Sequence, residues 1–414
     1  MLGRIGSLRS QDAAPQHVQR AFFILAGATA AFGFSMAAQQ NIVSNFFENE
    51  LGLQGPQFGY ITAIREIPGF LLIFFTALLY RLTLPHLTAL AMVLLAVGFG
   101  FFGFATSFWS VAPWVIISSM GYHTWLQTQT ALAMSLTVES KSGSILGRIA
   151  AINQAGALVA MAFVFVVFRF EILDFKQTFM VCGLLALVAA VLVFRFPNMH
   201  NGKILEVKPE RDRLVFRREY GLYYKLSLLD GARQQIFFSF GLWVLVDHFS
   251  LDVPAISLIM LVTAALAMFT GPWIGRMIDM HGEKRMLGIV NIAYIIALLG
   301  YALIDNTATA IVCYIIYSII FPLSAMGASV YLRKIAPSRD VAPSLAMGIT
   351  MQHAAAIVVP VVTGFVLNYV GYQIPFLVAS GFAVITVFVT QQLNAREQKT
   401  PARIAEEESL SIGD

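Results

Sequence analysis

The sequence predicts an all-α membrane protein whose twelve transmembrane helices form two pseudo-symmetric six-helix bundles. Three observations carry this. The chain is 58% hydrophobic and 12% charged with a mean hydropathy of +0.73, whereas a soluble domain is about 45–50% apolar and about 25% charged. Apolar stretches of about 20 residues, the length a helix needs to cross a ~30 Å hydrocarbon layer, recur along nearly the whole chain. A single displacement of 198 residues, which lays Pro56 on Pro254, brings the first six stretches into register with the last six.

The spans fall at 20–45, 56–80, 87–105, 109–137, 146–169, 177–197, 223–247, 255–275, 286–304, 308–332, 343–368 and 374–394. The first follows Arg4, Arg9 and Arg20 and has the form of a secretory signal, but eleven more spans favour a retained helix. Short cytoplasmic loops are enriched in Lys and Arg. The N-terminal tail (1–19), the loops holding Arg81, Lys141 and Arg148, Lys284 and Arg285, and Arg333 to Arg339, and the C-terminal tail (395–414) therefore predict one cytoplasmic side. Opposite loops carry Glu48, Glu50, Asp252 and Asp305, with Arg169 and Lys176 as exceptions. Both termini are then inside, in a cytoplasmic (inner) membrane.

The longest polar interval, Pro197 to Gly221, divides the chain into bundles 20–197 and 223–394 joined by a linker at 198–222. Its Arg211, Arg213, Arg217 and Arg218 either rest on anionic headgroups or only fix topology. The tail EEESLSIGD, Glu406 to Asp414, is expected to be disordered. The displacement also places Leu53 on Leu251, Gln154 on Gln352 and Gly183 on Gly381. Two repeated six-helix halves are the signature of a secondary transporter, with a site near the membrane midplane between them.

Between spans eight and nine stands GRMIDMHGEKR, Gly275 to Arg285. Its Gly275, Asp279, Gly282, Lys284 and Arg285 resemble the loop motif of the major facilitator superfamily, where that loop acts as a conformational latch. The first copy of the motif is degraded, since Ala77, Arg81 and Leu84 stand in the places of Gly275, Asp279 and Gly282. The resemblance covers 20–394 by topology and implies alternating access, with the first, fourth and seventh helices lining a central cavity. The glycine-proline pattern that the family's proton-antiporting drug exporters carry in span five is missing from AAINQAGALVAMAFVFVV, which has one Gly and no Pro.

Other chemistry is excluded or weak. GFGFFG, Gly98 to Gly103, matches a dinucleotide-binding pattern but sits in mid-membrane, where small residues serve helix packing. Cys182 and Cys313 lie within spans six and ten, which disfavours a disulfide. No spacing suggests a metal site, no nucleophile has an ordered base, and no phosphate-binding loop for ATP is present. An enzyme, a cofactor and a nucleic-acid partner are not expected.

An ionisable residue in a transmembrane helix is costly and marks a pathway or a bundle interior. Asp230 and Arg233, three apart in span seven, share one helical face with Gln234. They point to a solute pathway or else neutralise each other for packing. Arg65 and Glu66 of span two are adjacent and are expected to face apart, so that one seeks a partner in span seven or eleven, as a gate ion pair or a coupling carboxylate. In span four, Met120, His123, Gln127 and Thr130 form one stripe. Gln39, Gln40, Asn41, Asn153, Gln154, Met351, Gln352 and His353 read as cavity donors or interhelical glue, and Tyr314 with Tyr317 as a pocket floor or aromatic packing.

The substrate-binding set predicted from these is Arg233, Gln234, His123, Gln127, Gln39, Gln154, Gln352, Tyr314 and Tyr317, with Asp230, Glu66 and Arg65 for proton coupling. The function expected is proton-coupled transport of a small polar or anionic organic solute by a monomer. Two alternatives stand beside it: a proton-antiporting exporter of amphipathic compounds, for which 34 Phe and 16 Met supply adaptable surface, and a receptor or scaffold without transport.

Overall fold

The computed structural model describes residues 11–12, 15–71, 79, 82–137, 142–200, 203–204 and 216–411. Each predicted span is met by a helix: α1 Pro15–Asn45, α2 Gly55–Phe70, α3 Leu84–Phe102, α4 Phe108–Ser135, α5 Ser142–Arg169, α6 Phe175–Phe194, α7 Gly221–Asp247, α8 Val253–His281, α9 Glu283–Leu303, α10 Thr307–Ile335, α11 Ser338–Val370 and α12 Gln373–Gln391. The expected continuation of span two to residue 80 falls largely outside the described residues. Nine helices among those described are long and apolar enough to cross a membrane by length and composition alone.

Several ends are set by capping chemistry. Ser107 and Ser110 form a reciprocal box at the start of α4, as Asp174 and Gln177 do at α6, and Asp252 and Asn306 accept from backbone N–H groups opening α8 and α10. Between α8 and α9 the chain turns at Gly282, whose φ of 79° is a conformation only glycine adopts without strain.

The chain forms two compact units, Met1–Leu51 with Ile67–Arg211, and Gly52–Glu66 with Asp212–Asp414. In unit 1, α1 packs on α5 and α6, and α3 on α4 and α6. In unit 2, α7 packs on α11 and α12, and α9 on α10 and α12. The second pattern is the first with every helix advanced by six, so the internal repeat seen in the sequence is also a repeat of packing. Small residues make the close approaches: a Cβ on Gly98 would lie 2.5 Å from Ser118, and one on Gly183 2.8 Å from Gly100. That accounts for the GFGFFG stretch as packing.

Three features depart from expectation. The first part of α2, through Glu66, packs within unit 2, where Cβ atoms on Gly55 and Gly59 would meet the carbonyls of Gly364 and Pro360 at 2.8 and 2.4 Å, and where Phe58 stacks on Trp243 at 4.3 Å. Of the tail expected to be disordered, Glu406–Ser411 lies in a helix, α13, Pro401–Ser411, and residues 412–414 fall outside the described residues. Its Lys399–Glu407 and Arg403–Glu406 pairs, at 2.5 and 3.0 Å, offset the like-charge repulsion that composition alone suggests. The linker also pairs with the N-terminal tail: Met199–His200 and Lys203–Ile204 form a small antiparallel sheet with Gln11–Asp12.

Arg211 and Arg213 lie outside the described residues. Arg217 is ion-paired with Asp340 at 2.8 Å, which takes it out of the set free to meet headgroups. Tyr220 donates to the same carboxylate at 2.9 Å, and burial together with that bond pushes its phenol pKa up, so it remains a donor. The neighbouring core, Tyr220, Tyr223, Tyr224, Tyr331, Leu332 and Leu393 among others, fastens the start of α7 to α10.

Candidate functional site

Helix α7 enters its apolar surroundings carrying a buried carboxylate and a buried guanidinium. Arg233 is fully buried and Asp230 is 7% exposed. One helical turn apart, they form a direct ion pair through the Arg233 Nη2 and Asp230 Oδ1 atoms. Arg233 Nη2 also reaches Ser324 Oγ of α10 at 3.4 Å, and its Cζ sits 3.5 Å from the ring centroid of Tyr294 on α9. The ring of Tyr317 lies 5.5 Å away. Arg233 Nε and Nη1 have no hydrogen-bond partner among the described residues. The guanidinium is thus held by one carboxylate and two aromatic faces, and removal of that carboxylate would strand a buried charge.

Asp230, and not Arg233, faces open space. A cavity of about 280 Å³ inside unit 2 is lined by Tyr223, Ser227, Asp230, Asn291, Ser324 and Gln352, with leucine, isoleucine and alanine side chains between them. Asn291 donates to the Leu287 carbonyl at 2.8 Å, while its Oδ1 has no partner among the described residues. Arg233 does not itself line this cavity: the arginine stands behind the carboxylate.

A second charged group lies on α2 and α11. Glu66 Oε1 is 3.1 Å from Arg65 Nη2, and Glu66 Oε2 is 3.0 Å from His353 Nδ1, a hydrogen bond when that nitrogen carries the proton. Sequence neighbours were expected to face apart, but the long guanidinium, 46% exposed, folds back over the buried carboxylate. The predicted cross-partner from span eleven is His353.

The remaining predicted residues separate by surroundings. His123 is buried, with Nδ1 3.0 Å from both Ser119 Oγ and the Ser119 carbonyl. Gln127 is exposed, Gln39 is buried, and Gln154 and Gln234 are half-buried. Tyr314 and Tyr317 stack on Phe237 at 5.3 and 3.6 Å and belong to the aromatic packing around α7, while Gln352 lines the Asp230 cavity. In the loop motif, Gly282 makes the turn, Lys284 donates to the Gln391 carbonyl at 2.6 Å, and Arg285 is exposed. Gly275 and Asp279 lie on α8, and the surroundings of their side chains fall outside the described residues. Sequence reading passed over Ser227, Asn291, Tyr294 and Ser324. Asn291 and Tyr294, three apart on α9, carried the available signal, two polar groups on one face of an apolar span.

Two units with one repeated packing scheme, and a buried Asp–Arg pair in the second, are the architecture of a multi-pass membrane protein. Residues 226–411 match the family model of the Major Facilitator Superfamily. That match covers rather less than half of the chain, and the fold is that of the superfamily. The crystal structure of the nucleoside transporter NupG superposes with a TM-score of 0.73 at 17% identity, covering 90% of this chain and 98% of that one. A bacterial homologue of the human lysosomal transporter Spinster, inward-facing and unoccupied, gives 0.70 at 13% identity over 94% and 100%. The D-xylose-proton symporter gives 0.68 at 14% identity over 93% and 100%. No curated protein sequence matches the chain.

Proposed function

We propose that this protein carries a small polar or anionic organic solute across the cytoplasmic membrane, coupled to a proton, by rocking of the bundles 20–197 and 223–394 about the linker. The observation that carries the reading is the Asp230 carboxylate, which lines the cavity while serving as the only carboxylate paired with the buried Arg233 among the described residues. A proton arriving on Asp230 neutralises it and leaves the guanidinium without a counter-charge. An anionic or strongly polar group of the solute, entering beside Asn291, Ser324 and Gln352, then supplies one. Proton and solute favour each other's binding because each alone leaves an unbalanced charge in a poorly hydrated interior.

The small cavity suits a small solute, and the fold likeness to a nucleoside transporter and a D-xylose-proton symporter supports a polar one. Glu66 with His353 is the second proton-accepting pair in this scheme. The orientation proposed places both termini in the cytoplasm. The test is Asp230→Asn in proteoliposomes with and without an imposed pH gradient. Flux that no longer responds to the gradient is expected; an unchanged response would remove Asp230 from coupling.

A further inference from the structure

Unit 2 holds a second, wider cavity of about 730 Å³, which shares no lining residue with the Asp230 cavity. Its walls are the start of α9, the end of α10, the chain between α12 and α13, and α13 itself, all on the side where loop cations concentrate. Six cations line it: Lys284, Arg333, Lys334, Arg396, Lys399 and Arg403. Two carboxylates, Glu283 and Glu407, line it with them, and a third, Glu406, pairs with Arg403 at 3.0 Å from outside the lining.

Both lining carboxylates are already engaged. Lys334 Nζ lies 2.6 Å from Glu283 Oε2, and Glu407 receives a hydrogen bond from Lys399 Nζ at 2.5 Å and is ion-paired with Arg403, whose Nε is 3.1 Å away. Arg333 and Arg396 are exposed, and neither has a carboxylate partner among the described residues. The frame that carries them is fastened. The Thr400 N–H and hydroxyl both donate to the Ile335 carbonyl at the end of α10, at 3.0 and 3.1 Å, and the Tyr331 hydroxyl donates to Gln398 Oε1 at 2.7 Å. The segment bearing Arg396 and Lys399 is therefore held against the helix end bearing Arg333 before any ligand arrives.

A concave surface with a fixed cationic surplus attracts an anion, and guanidinium forks match the oxygens of a phosphate in pairs. We infer that this cleft is a binding site for a phosphate-bearing anion, either an anionic lipid headgroup or a soluble phosphate, and that Glu407 of α13 competes with that anion for Lys399 and Arg403. Neither the solute cavity nor the coupling carboxylate takes part.

Two probes on the purified full-length chain distinguish the sources. Retention of phosphatidylglycerol over phosphatidylcholine in neutral detergent, counted by native mass spectrometry, reads the headgroup. Thermal stabilisation by inorganic pyrophosphate, against chloride at matched ionic strength, reads the soluble anion. Whichever probe binds, Arg333→Gln with Arg396→Gln is expected to weaken it about tenfold, and Glu407→Gln to strengthen it about threefold. Failure of both probes to exceed their controls, or wild-type affinity in the double variant, overturns the site. If the double variant does not fold, the Glu407→Gln variant decides: unchanged or weaker binding of the probe rejects the inference.

Discussion

Helices α1 and α7 hold equivalent places in the repeat, α1 against α5 and α6, α7 against α11 and α12. At the level where α7 carries Asp230 and Arg233, α1 carries Phe32 and Ser35. Phe32 packs its ring 4.9 Å from Trp125, and Ser35 donates to the Cys182 carbonyl at 2.7 Å. All four side chains are buried. One packing scheme is thus satisfied in unit 1 by an aromatic contact and a neutral hydrogen bond, and in unit 2 by an ion pair. Since α1 shows that the helix position needs no charge, the cost of burying one in α7 points to a use beyond packing.

The comparison is broken most directly at Asp230. Asp230→Ala leaves Arg233 buried and unpaired, and should cost about 3–5 kcal/mol of stability together with all solute flux. Asp230→Leu combined with Arg233→Met makes α7 resemble α1, and its melting temperature should return to near that of the wild type while flux remains absent. Flux in that double variant, measured in proteoliposomes, would show the pair to be structural. A smaller effect is expected at the second charged group: Glu66→Gln or His353→Gln removes a charge-assisted contact worth about 1.5–3 kcal/mol and should shift the pH profile of transport. His123→Gln, which removes the contact of His123 with Ser119 in unit 1, should leave that profile in place. Smaller again is Ser35→Ala, which should cost about 1 kcal/mol with flux retained.

The sequence made the twelve helices and their repeat legible because each needs only length, apolarity and one displacement, all local or additive properties of the chain. Asp230 and Arg233 were legible for the opposite reason, as ionisable residues where apolar ones are expected. Which of the two faces a cavity was not, because that depends on Tyr294, Asn291 and Ser324, contributed by α9 and α10 some 60 to 90 residues away. The pairing of Glu66 with His353 was foreseen only as a choice of spans, since helical spacing gives the direction of a side chain along its own axis and not the rotation of its neighbour. The helix at the C-terminus escaped a compositional reading because its acidic run is balanced by Lys399 and Arg403, just before and within it.

That terminal helix sharpens the contrast between the units at their ends, and its test is a matter of pH. Glu407 has its pKa lowered by the hydrogen bond from Lys399, with the charges of Lys399 and Arg403 adding to it. A carboxylate whose folded pKa lies below its unfolded value stabilises the folded form above the ordinary glutamate range, and that contribution is lost as pH falls through the folded pKa. The contact of α13 with Lys399 should therefore be intact at neutral pH and weaken only below the usual glutamate pKa. Glu407→Gln should produce the acid state at neutral pH. Hydrogen exchange confined to Pro401–Ser411 is the measurement: faster exchange in Glu407→Gln at neutral pH, with α12 unchanged, is expected. Equal exchange in the two proteins would mean that the contact is too exposed and too well screened to hold the helix, as most surface ion pairs are.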